Sequence, residues 1–267
     1  MAKADVLNKE RDFHDAWANS INLNEVMVDE FFEACTSPEN RIIMKKLGDI
    51  KGKKILELGC GLGEASVYMA KKGGIVTSTD ISNGMLEVVN KLAEKHGVKV
   101  ETKQSYSHNL CFKDESFDIV YAANLLHHVD LEPTIKEAFR VLKKGGCFVT
   151  WDPVAHNPLI NIYRRIATKV RTEDEHPLKM KEINIFKKYF SKVNVYATWF
   201  FTLWIFIDFY LLKRIDPNKE RYWKKILVEH KKLESKYNKL EMLDRGFLKL
   251  FPFMKRFCWN VVVCSIK

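Results

Sequence analysis

Glycines recur at every second position in one short run of the sequence, with acidic residues on both sides. The run ILELGCGLGE places Gly59, Gly61 and Gly63 between Glu57 and Glu64. Glycine lets a backbone approach a ligand closely and adopt torsion angles barred to other residues. The dinucleotide fingerprint G-x-G-x-x-G needs a third glycine where Glu64 stands, and a carboxylate ahead of the glycines suits an ammonium group better than a pyrophosphate. The loop therefore favours another adenosine-containing cofactor, with a dinucleotide as the alternative.

A second acidic residue, Asp80, closes the next predicted strand, IVTSTDIS. In open α/β sheets, ligands bind outside the carboxyl ends of the strands, where the strand order reverses. A carboxylate at this place can accept hydrogen bonds from the two hydroxyls of a ribose. The alternative is an acid that only stabilises the start of the following helix through its dipole.

Alternating strands and helices would position these residues. The predicted strands are KKILELG, IVTSTDIS, VKVETKQ, FDIVYAANLLHH and CFVTWDP, and helices are predicted between them, the last over EPTIKEAFRVLKKGG. This alternation predicts an α/β fold with a doubly wound parallel sheet and right-handed crossovers. After Pro153 the sequence predicts a short helix, INIFKKYF, a strand, KVNVYATWF, and a β-branched terminal strand, FCWNVVVCSIK.

The start of the chain is predicted to be helical over residues 5–48, because apolar residues recur there at roughly helical spacing. Within this segment, TSPEN predicts a helix start. Ser37 would be its N-cap and Pro38 its first helical residue.

The composition favours an anionic partner and reduced cysteines. The formal net charge is +10, which suits nucleic acid, an acidic membrane surface or an acidic substrate. The six cysteines contain no C-x-x-C pair, so we expect free thiols in a cytoplasmic protein. The first residues are too polar for a signal peptide. The scattered histidines and cysteines fit no zinc spacing, and no metal site is predicted.

Four stretches in register resemble the class I S-adenosylmethionine-dependent methyltransferases: ILELGCGLGEAS, TSTDIS with the following ML, SFDIVYAANLLHHV and RVLKKGGCFV. They cover roughly residues 50–152. The nearest type is the small-molecule and lipid-quinone C-methyltransferases, which share the LHH signature. The resemblance implies a mostly parallel seven-stranded sheet that ends in a reversed C-terminal hairpin strand.

The sequence shows no internal repeat and no low-complexity linker, so residues 1–267 are predicted to form one domain with an insertion. Residues 1–48 would form a helical lid over the cofactor, and residues 49–152 the cofactor-binding core. Residues 153–267 would supply substrate-side helices and the last two strands, with a helical insertion at about 200–256 between them.

Family roles carry over to named positions. Glu57 and the glycines would face the methionine end of S-adenosylmethionine, Asp80 the ribose and Ile81 the adenine. Relatives often hold the adenine amine with an acidic turn, where this chain has Tyr106 and His108. The backbone, together with the Tyr106 or Ser107 hydroxyl, is the expected substitute. The predicted cofactor residues are Glu57, Gly59, Cys60, Gly61, Gly63, Asp80, Ile81, Tyr106, Ser107 and Asn124.

Polar residues after the fourth and fifth strands are candidates for chemistry. A base within hydrogen-bond reach is needed if the substrate must lose a proton, and an arginine can pair with a carboxylate or phosphate. The alternatives are scaffold histidines and surface ion pairs. The candidate bases are His127, His128, Tyr163 and His176, and the candidate substrate residues are Trp17, Tyr163, Arg164, Arg171 and His176.

The run VYATWFFTLWIFIDFYLLKR is almost wholly apolar, with Asp208 as its one acid. A transmembrane helix is rejected, because the first half is needed as the sixth strand and the chain must return to complete the sheet. Its aromatic side chains could line an apolar substrate pocket, dock on a membrane or a second subunit, or belong to an ordinary core. Residues 213–256 follow with fourteen Lys and Arg against six Asp and Glu, a pattern typical of interfacial helices.

The leading functional hypothesis is methyl transfer from S-adenosylmethionine to a small lipophilic molecule that could carry an anionic group. One alternative is an RNA or protein methyltransferase that uses the basic tail. The other is a cofactor-binding scaffold without turnover. The expected location is the cytoplasm, with peripheral membrane contact or a homodimer through residues 200–256 as further alternatives.

Overall fold

The computed structural model describes residues 3–166, 176–216, 218 and 222–267, with a seven-stranded sheet at the centre. The strand order is β3-β2-β1-β4-β5-β7-β6, in which β7 is antiparallel to both neighbours and the other pairs are parallel. This confirms the predicted fold class. The strands are β1 (Lys54–Leu58), β2 (Ile75–Asp80), β3 (Val100–Gln104), β4 (Phe117–Ala123), β5 (Leu142–Pro153), β6 (Lys192–Thr198) and β7 (Asn260–Ile266).

Helices cover both faces of the sheet and fill the segment between β6 and β7. Short 3-10 helices also occur, including Leu23–Glu25, Phe201–Leu203 and Pro252–Phe257. The described α-helices are α1 (Lys3–Ala18), α2 (Glu30–Glu33), α3 (Pro38–Leu47), α4 (Glu64–Lys71), α5 (Asn83–Lys95), α6 (Leu131–Val141), α7 (Pro158–Ile166), α8 (Phe186–Tyr189), α9 (Trp204–Ile207), α10 (Tyr222–Val228) and α11 (His230–Leu250).

Side chains of the central strands are buried on both faces of the sheet. In β1, Ile55 packs into one apolar cluster, while Leu56 and Leu58 pack into the other. Burial on both faces explains why residues 119–123 of β4 form a continuous apolar run and do not alternate with polar residues.

Two predicted boundaries differ from the structure. The N-terminal segment is not one continuous helical region, because α1 ends at Ala18 and the Asn22 side chain accepts from the Asn24 amide at 3.1 Å to start a 3-10 turn. Helix α3 begins at Pro38 as predicted, with Ser37 at its N-cap. The Ser37 hydroxyl, however, donates to the Phe31 carbonyl and does not cap the helix. The second difference is the boundary between the predicted helix EPTIKEAFRVLKKGG and the predicted strand CFVTWDP. In the structure α6 already ends at Val141, and β5 begins at Leu142.

The aromatic run after β6 forms a small core of its own. The strand ends at Thr198, and the chain then turns at Trp199, which has a φ of +67°. Buried Trp199, Phe206 and Phe209 pack with residues of α10 and α11. Other apolar side chains of the run, such as Trp204 and Leu212, are exposed. Among the described residues, no helix is both long and apolar enough to cross a membrane.

Candidate functional site

A cavity of about 820 Å³ lies at the carboxyl edge of the parallel strands, between the sheet and helices α1, α7 and α10. Its size is within the range of about 300–1,000 Å³ that is usual for ligand sites. The predicted site residues of the described chain all line it, with the exception of Gly63. Arg171 lies outside the described residues.

The glycine loop forms one end of the cavity. Gly61 has a φ of +50°, and a Cβ added there would meet no atom within 4 Å, so the backbone is open to the cavity. The Gly61 amide donates to Asp80 Oδ2 at 3.1 Å, and the Ser82 amide donates to Asp80 Oδ1 at 2.9 Å. Asp80 therefore connects the loop to the end of β2. Gly63 has a packing role at the start of α4, where a Cβ would lie 2.7 Å from Val89.

Three carboxyl groups at this end have no Lys or Arg ion-pair partner within the part of the chain that the structure describes. Burial, reinforced by the charges of Glu64 and Asp80, raises the pKa of Glu57 to about 8, although the Ser66 hydroxyl donates to this carboxyl. Removal from solvent raises the pKa of Glu64 to about 7 and also raises the pKa of Asp80. No Lys or Arg in the described chain forms an ion pair with any of the three. A ligand with positive charge would therefore stabilise their ionised forms.

The cavity continues past Ile81 towards the segment that follows β3. The Ser107 hydroxyl is buried and hydrogen-bonds Thr134 Oγ1 at 3.1 Å, whereas Tyr106 is 41% exposed. Because Ser107 is already paired, Tyr106 is the hydroxyl more accessible to an adenine. The Gln104 side chain donates to the Ile81 carbonyl at 2.8 Å and fixes the backbone here.

A histidine–carboxylate pair lies beyond the end of β4. His127 Nδ1 is 2.9 Å from Asp152 Oδ1, and the Thr150 hydroxyl donates to Asp152 Oδ2 at 3.1 Å. Burial raises the pKa of Asp152 to about 7. Sequence analysis named His127 but missed Asp152. The available signal was the same as for Asp80, an acidic residue near the carboxyl end of a buried strand.

His128 faces the N-terminal helix. Its Nδ1 lies 3.5 Å from Glu10 Oε1, and His14 Nε2 lies 3.6 Å from Glu10 Oε2. Burial alone would raise the pKa of Glu10, but the two neighbouring histidine side chains outweigh it and hold this pKa well below its usual range. The Glu10–His128 contact therefore holds α1 against the loop after β4, at the edge of the cavity. Trp17, on the same helix, also lines the cavity.

The substrate-side candidates surround the other end of the cavity. The Tyr163 ring centroid is 5.4 Å from that of Tyr222. Arg164 Nη1 donates to the Asn161 side chain at 2.8 Å and to the Val154 carbonyl at 3.2 Å, so part of this guanidinium already has protein partners. The His176 amide donates to the His127 carbonyl at 3.0 Å, which joins this segment to the histidine–carboxylate pair.

Asn124 directly follows β4 and has a φ of +53°. Its amide donates to the Trp151 carbonyl at 2.9 Å. Asn124 lines the cavity, and the family resemblance predicts that it lies beside the methionine moiety or the transferred methyl. Among the described residues, no group of three or more His, Cys, Asp and Glu is arranged to hold a metal ion.

Residues 56–150 match a family model described as a methyltransferase domain. A ubiquinone biosynthesis O-methyltransferase of Pseudomonas fluorescens is 36% identical over 112 residues, which are 41% of this chain and 48% of the relative. A demethylmenaquinone methyltransferase of Lactococcus lactis is 31% identical over 163 residues, which are 54% of this chain and 64% of the relative. The chain thus spans about half to two thirds of these relatives.

Solved structures show the same fold. Phosphoethanolamine N-methyltransferase 2 of Haemonchus contortus, in complex with S-adenosyl-L-methionine, superposes with a TM-score of 0.58 at 22% identity, covering 86% of this chain and 52% of that protein. The YcgJ protein of Bacillus subtilis gives a TM-score of 0.54 at 19% identity, covering 85% of this chain and 97% of that protein. At these identities the likeness establishes the α/β fold alone.

Proposed function

We propose that this chain, whose residues 56–150 match a methyltransferase-domain family model, is a class I, S-adenosylmethionine-dependent enzyme that transfers a methyl group to a small lipophilic molecule. The observation that carries the proposal is one cavity that joins the glycine loop, Asp80 and the His127–Asp152 pair to an apolar end. A cavity of this volume suits a small molecule better than RNA or a protein segment.

The cofactor end fits S-adenosylmethionine. The open backbone at Gly61 admits the ligand, and Asp80 can accept from ribose hydroxyls while it holds the two backbone amides. Glu57 and Glu64 provide negative charge for a ligand that bears an ammonium and a sulfonium group. When bound, this cofactor supplies an electrophilic methyl group on its positively charged sulfur.

The protein contributes positioning and a base. Correct orientation of two reactants can lower a barrier by roughly 7–11 kcal/mol. When His127 Nδ1 donates to Asp152, Nε2 is the nitrogen that can accept a proton. The proton would come from a hydroxyl group or an acidic C–H group of the substrate. Asp152 fixes the tautomer and stabilises the imidazolium that forms. Tyr163 and His176 line the same cavity and position the substrate.

The substrate class follows from the cavity and the relatives together. Tyr163, Trp199 and Trp259 give its far end an aromatic lining. The two relatives are named for ubiquinone and demethylmenaquinone, both ring compounds with lipophilic tails. A quinol-like ring is therefore the proposed substrate type, and Arg164 is the candidate partner for any anionic group on it.

The proposal is tested by calorimetry with S-adenosylmethionine and S-adenosylhomocysteine. Both should bind, Asp80→Ala should weaken binding at least about tenfold, and labelled methyl should transfer to hydroquinone acceptors. His127→Ala should slow that transfer by about 10²-fold or more with little change in cofactor affinity. Tight NADH binding without a response to either sulfur compound would refute the assignment.

We also propose that the insertion contacts an anionic membrane surface. Phe201, Phe247, Phe251 and Phe253 form a chain of neighbouring rings with centroids 5.0–6.2 Å apart, called here the phenylalanine patch. Lys249, Lys255 and Arg256 lie beside it in sequence, and apolar side chains next to basic residues are typical of interfacial segments. A homodimer through this surface is the alternative.

A further inference from the structure

A buried carboxyl group lies at the substrate end of the cavity and takes no part in the mechanism above. Glu39, in the first turn of α3, is 5% exposed and lines the cavity. Its Oε1 accepts from the Asn260 amide group at 3.0 Å and from the Thr198 hydroxyl. No Lys or Arg among the described residues forms an ion pair with it. A buried carboxyl without a cation partner favours the neutral form, and burial raises the pKa of Glu39 in agreement.

Asn260 adds an unmet acceptor beside this carboxyl. It is the first residue of β7, is 4% exposed and also lines the cavity. Its Nδ2 donates to Glu39, but its Oδ1 has no hydrogen-bond partner. A buried polar atom without a partner costs about 1–3 kcal/mol in stability. Binding sites accept that cost where a ligand later supplies the missing group.

The neighbouring walls are aromatic and apolar. Trp199, Trp259 and Ile226 line the same cavity, and the two tryptophan rings lie 5.7 Å apart, centroid to centroid. The Trp259 amide donates to the Thr198 carbonyl, so the residues around Glu39 are tied together through the paired ends of β6 and β7. A flat ring can pack here while one polar group reaches the Glu39–Asn260 pair.

We infer that the Glu39–Asn260 pair is a recognition subsite for a hydroxyl group on the ring of a neutral substrate. This inference rests on the proposed methyl transfer and names the substrate group that orients the molecule. A hydroxyl carries one donor and two acceptor sites. It can donate to Asn260 Oδ1 and accept from the protonated carboxyl of Glu39. An ammonium group has donors only and would leave the carboxyl proton without an acceptor.

Calorimetry with matched probes tests the subsite without turnover. The full chain is saturated with S-adenosylhomocysteine and titrated with 4-butylphenol, with its methyl ether 4-butylanisole and with 4-butylbenzylamine. The wild type should bind the phenol about tenfold more tightly than the ether, because the ether cannot donate. Equal affinity for phenol and ether overturns the subsite, and so does a preference for the benzylamine, which would indicate a carboxylate that binds cations.

Variants then assign the preference to residues. Glu39→Met and Asn260→Leu should each reduce the phenol preference to about twofold, whereas Glu39→Gln, which keeps a donor and an acceptor, should retain most of it. The control is Glu182→Met, which removes another carboxyl group that lines the cavity and should leave the preference unchanged. Retained preference in both Glu39→Met and Asn260→Leu contradicts the inference.

The same titrations separate this inference from the proposed function. If S-adenosylhomocysteine fails to bind but the chain still prefers the phenol, methyl transfer is refuted and the hydroxyl subsite stands. If the cofactor product binds but phenol and ether bind equally, the subsite is refuted and methyl transfer stands. The wild-type comparison needs no variant, so a variant that fails to fold does not affect it.

Discussion

The buried carboxyl groups of Glu57 and Glu64 make cofactor affinity depend on pH. Their raised pKa values, about 8 and about 7, mean that both are largely protonated at pH 6 in the free protein. A cationic ligand binds the ionised forms better, so binding is linked to proton release. Affinity for S-adenosylmethionine should therefore rise by roughly tenfold or more between pH 6 and pH 8.5, then level off above the higher pKa.

Calorimetry in buffers of different ionisation enthalpy measures both the affinity and the protons released. S-adenosylhomocysteine, which lacks the sulfonium charge, should show a shallower rise than S-adenosylmethionine. Glu64→Gln should flatten the lower part of the curve, near pH 7. Affinity that stays constant across this range would show that the carboxyl groups do not sense the ligand charge.

Asp152 is expected to act through His127. Asp152→Asn can present an amide group to Nδ1 and stabilise the wrong tautomer, so kcat should fall by about 10²-fold or more while cofactor affinity changes less than about twofold. Methyl-transfer kinetics and calorimetry together check this. Asp114→Asn is the matched control, because that acid is exposed and pairs with Arg140 away from the cavity. A kcat within threefold of the wild type would exclude Asp152 as a positioning residue.

For single residues, spacing in the sequence identified side chains that line the cavity but not their hydrogen-bond partners. Gly59, Gly61 and Asp80 belong to a local pattern whose chemistry can be inferred from residue types alone. Glu39 meets Asn260 across 221 positions of the chain, and no local pattern marks either residue. Such pairs depend on how α3 and β7 meet, which only the tertiary structure defines.

Helix α1 is attached to the cofactor end by one carboxylate. Asp15 accepts from the Ser82 hydroxyl at 2.5 Å and from the Gly84 amide at 3.0 Å, and the Ser82 amide donates to Asp80. The Ser82 hydrogen bond, aided by that from Gly84, lowers the pKa of Asp15, so the carboxylate is ionised at neutral pH. Ser82 therefore links Asp15 of α1 to Asp80, the residue proposed to hold the ribose.

Cofactor binding should therefore protect α1 from proteolysis. We expect residues 10–20 to be cleaved more slowly by chymotrypsin, which cuts after Phe13 and Trp17, when S-adenosylhomocysteine is bound. Asp15→Ala should abolish most of this protection and weaken cofactor binding by about five- to tenfold. Asp12→Ala is the control, since that neighbouring side chain is 71% exposed and contacts only Arg11 among the described side chains. Cleavage rates that do not depend on ligand would show that α1 is fixed packing.

Elements with a clear period were predicted well, and elements without one were not. Strands β1, β2 and β4 and helices α4 and α5 follow from buried runs closed by glycines or acids. The run from Trp199 to Leu212 is apolar at every position except Thr202 and Asp208, so its sequence could not tell which apolar side chains face the core. Contacts with α10 and α11 decide that Phe206 is buried and Trp204 exposed.

In the whole molecule, one segment combines an excess of positive charge with exposed apolar side chains. Residues 213–256 hold fourteen Lys and Arg against six Asp and Glu, within a chain of net charge +10. The same segment carries Leu250 and Phe253, which are 75% and 63% exposed. A basic residue near an anionic surface contributes about 1 kcal/mol, and buried apolar area adds roughly 25 cal/mol per Å². Together they favour a peripheral contact that brings a lipophilic substrate within reach.

The protein should accordingly co-sediment with vesicles that contain anionic lipid, and less so as salt rises, because screening weakens the lysine contribution. Phe251→Ser combined with Phe253→Ser should reduce the bound fraction several-fold without changing the melting temperature much, since both side chains are exposed. Ile75→Ser is the matched control, an exposed apolar residue at the start of β2. Light scattering in dilute, lipid-free solution separates this outcome from a homodimer, whose mass would halve in the double variant. If the protein is a monomer that does not bind anionic vesicles at low salt, both the membrane contact and the homodimer are excluded. The phenylalanine patch would then have no partner of either kind.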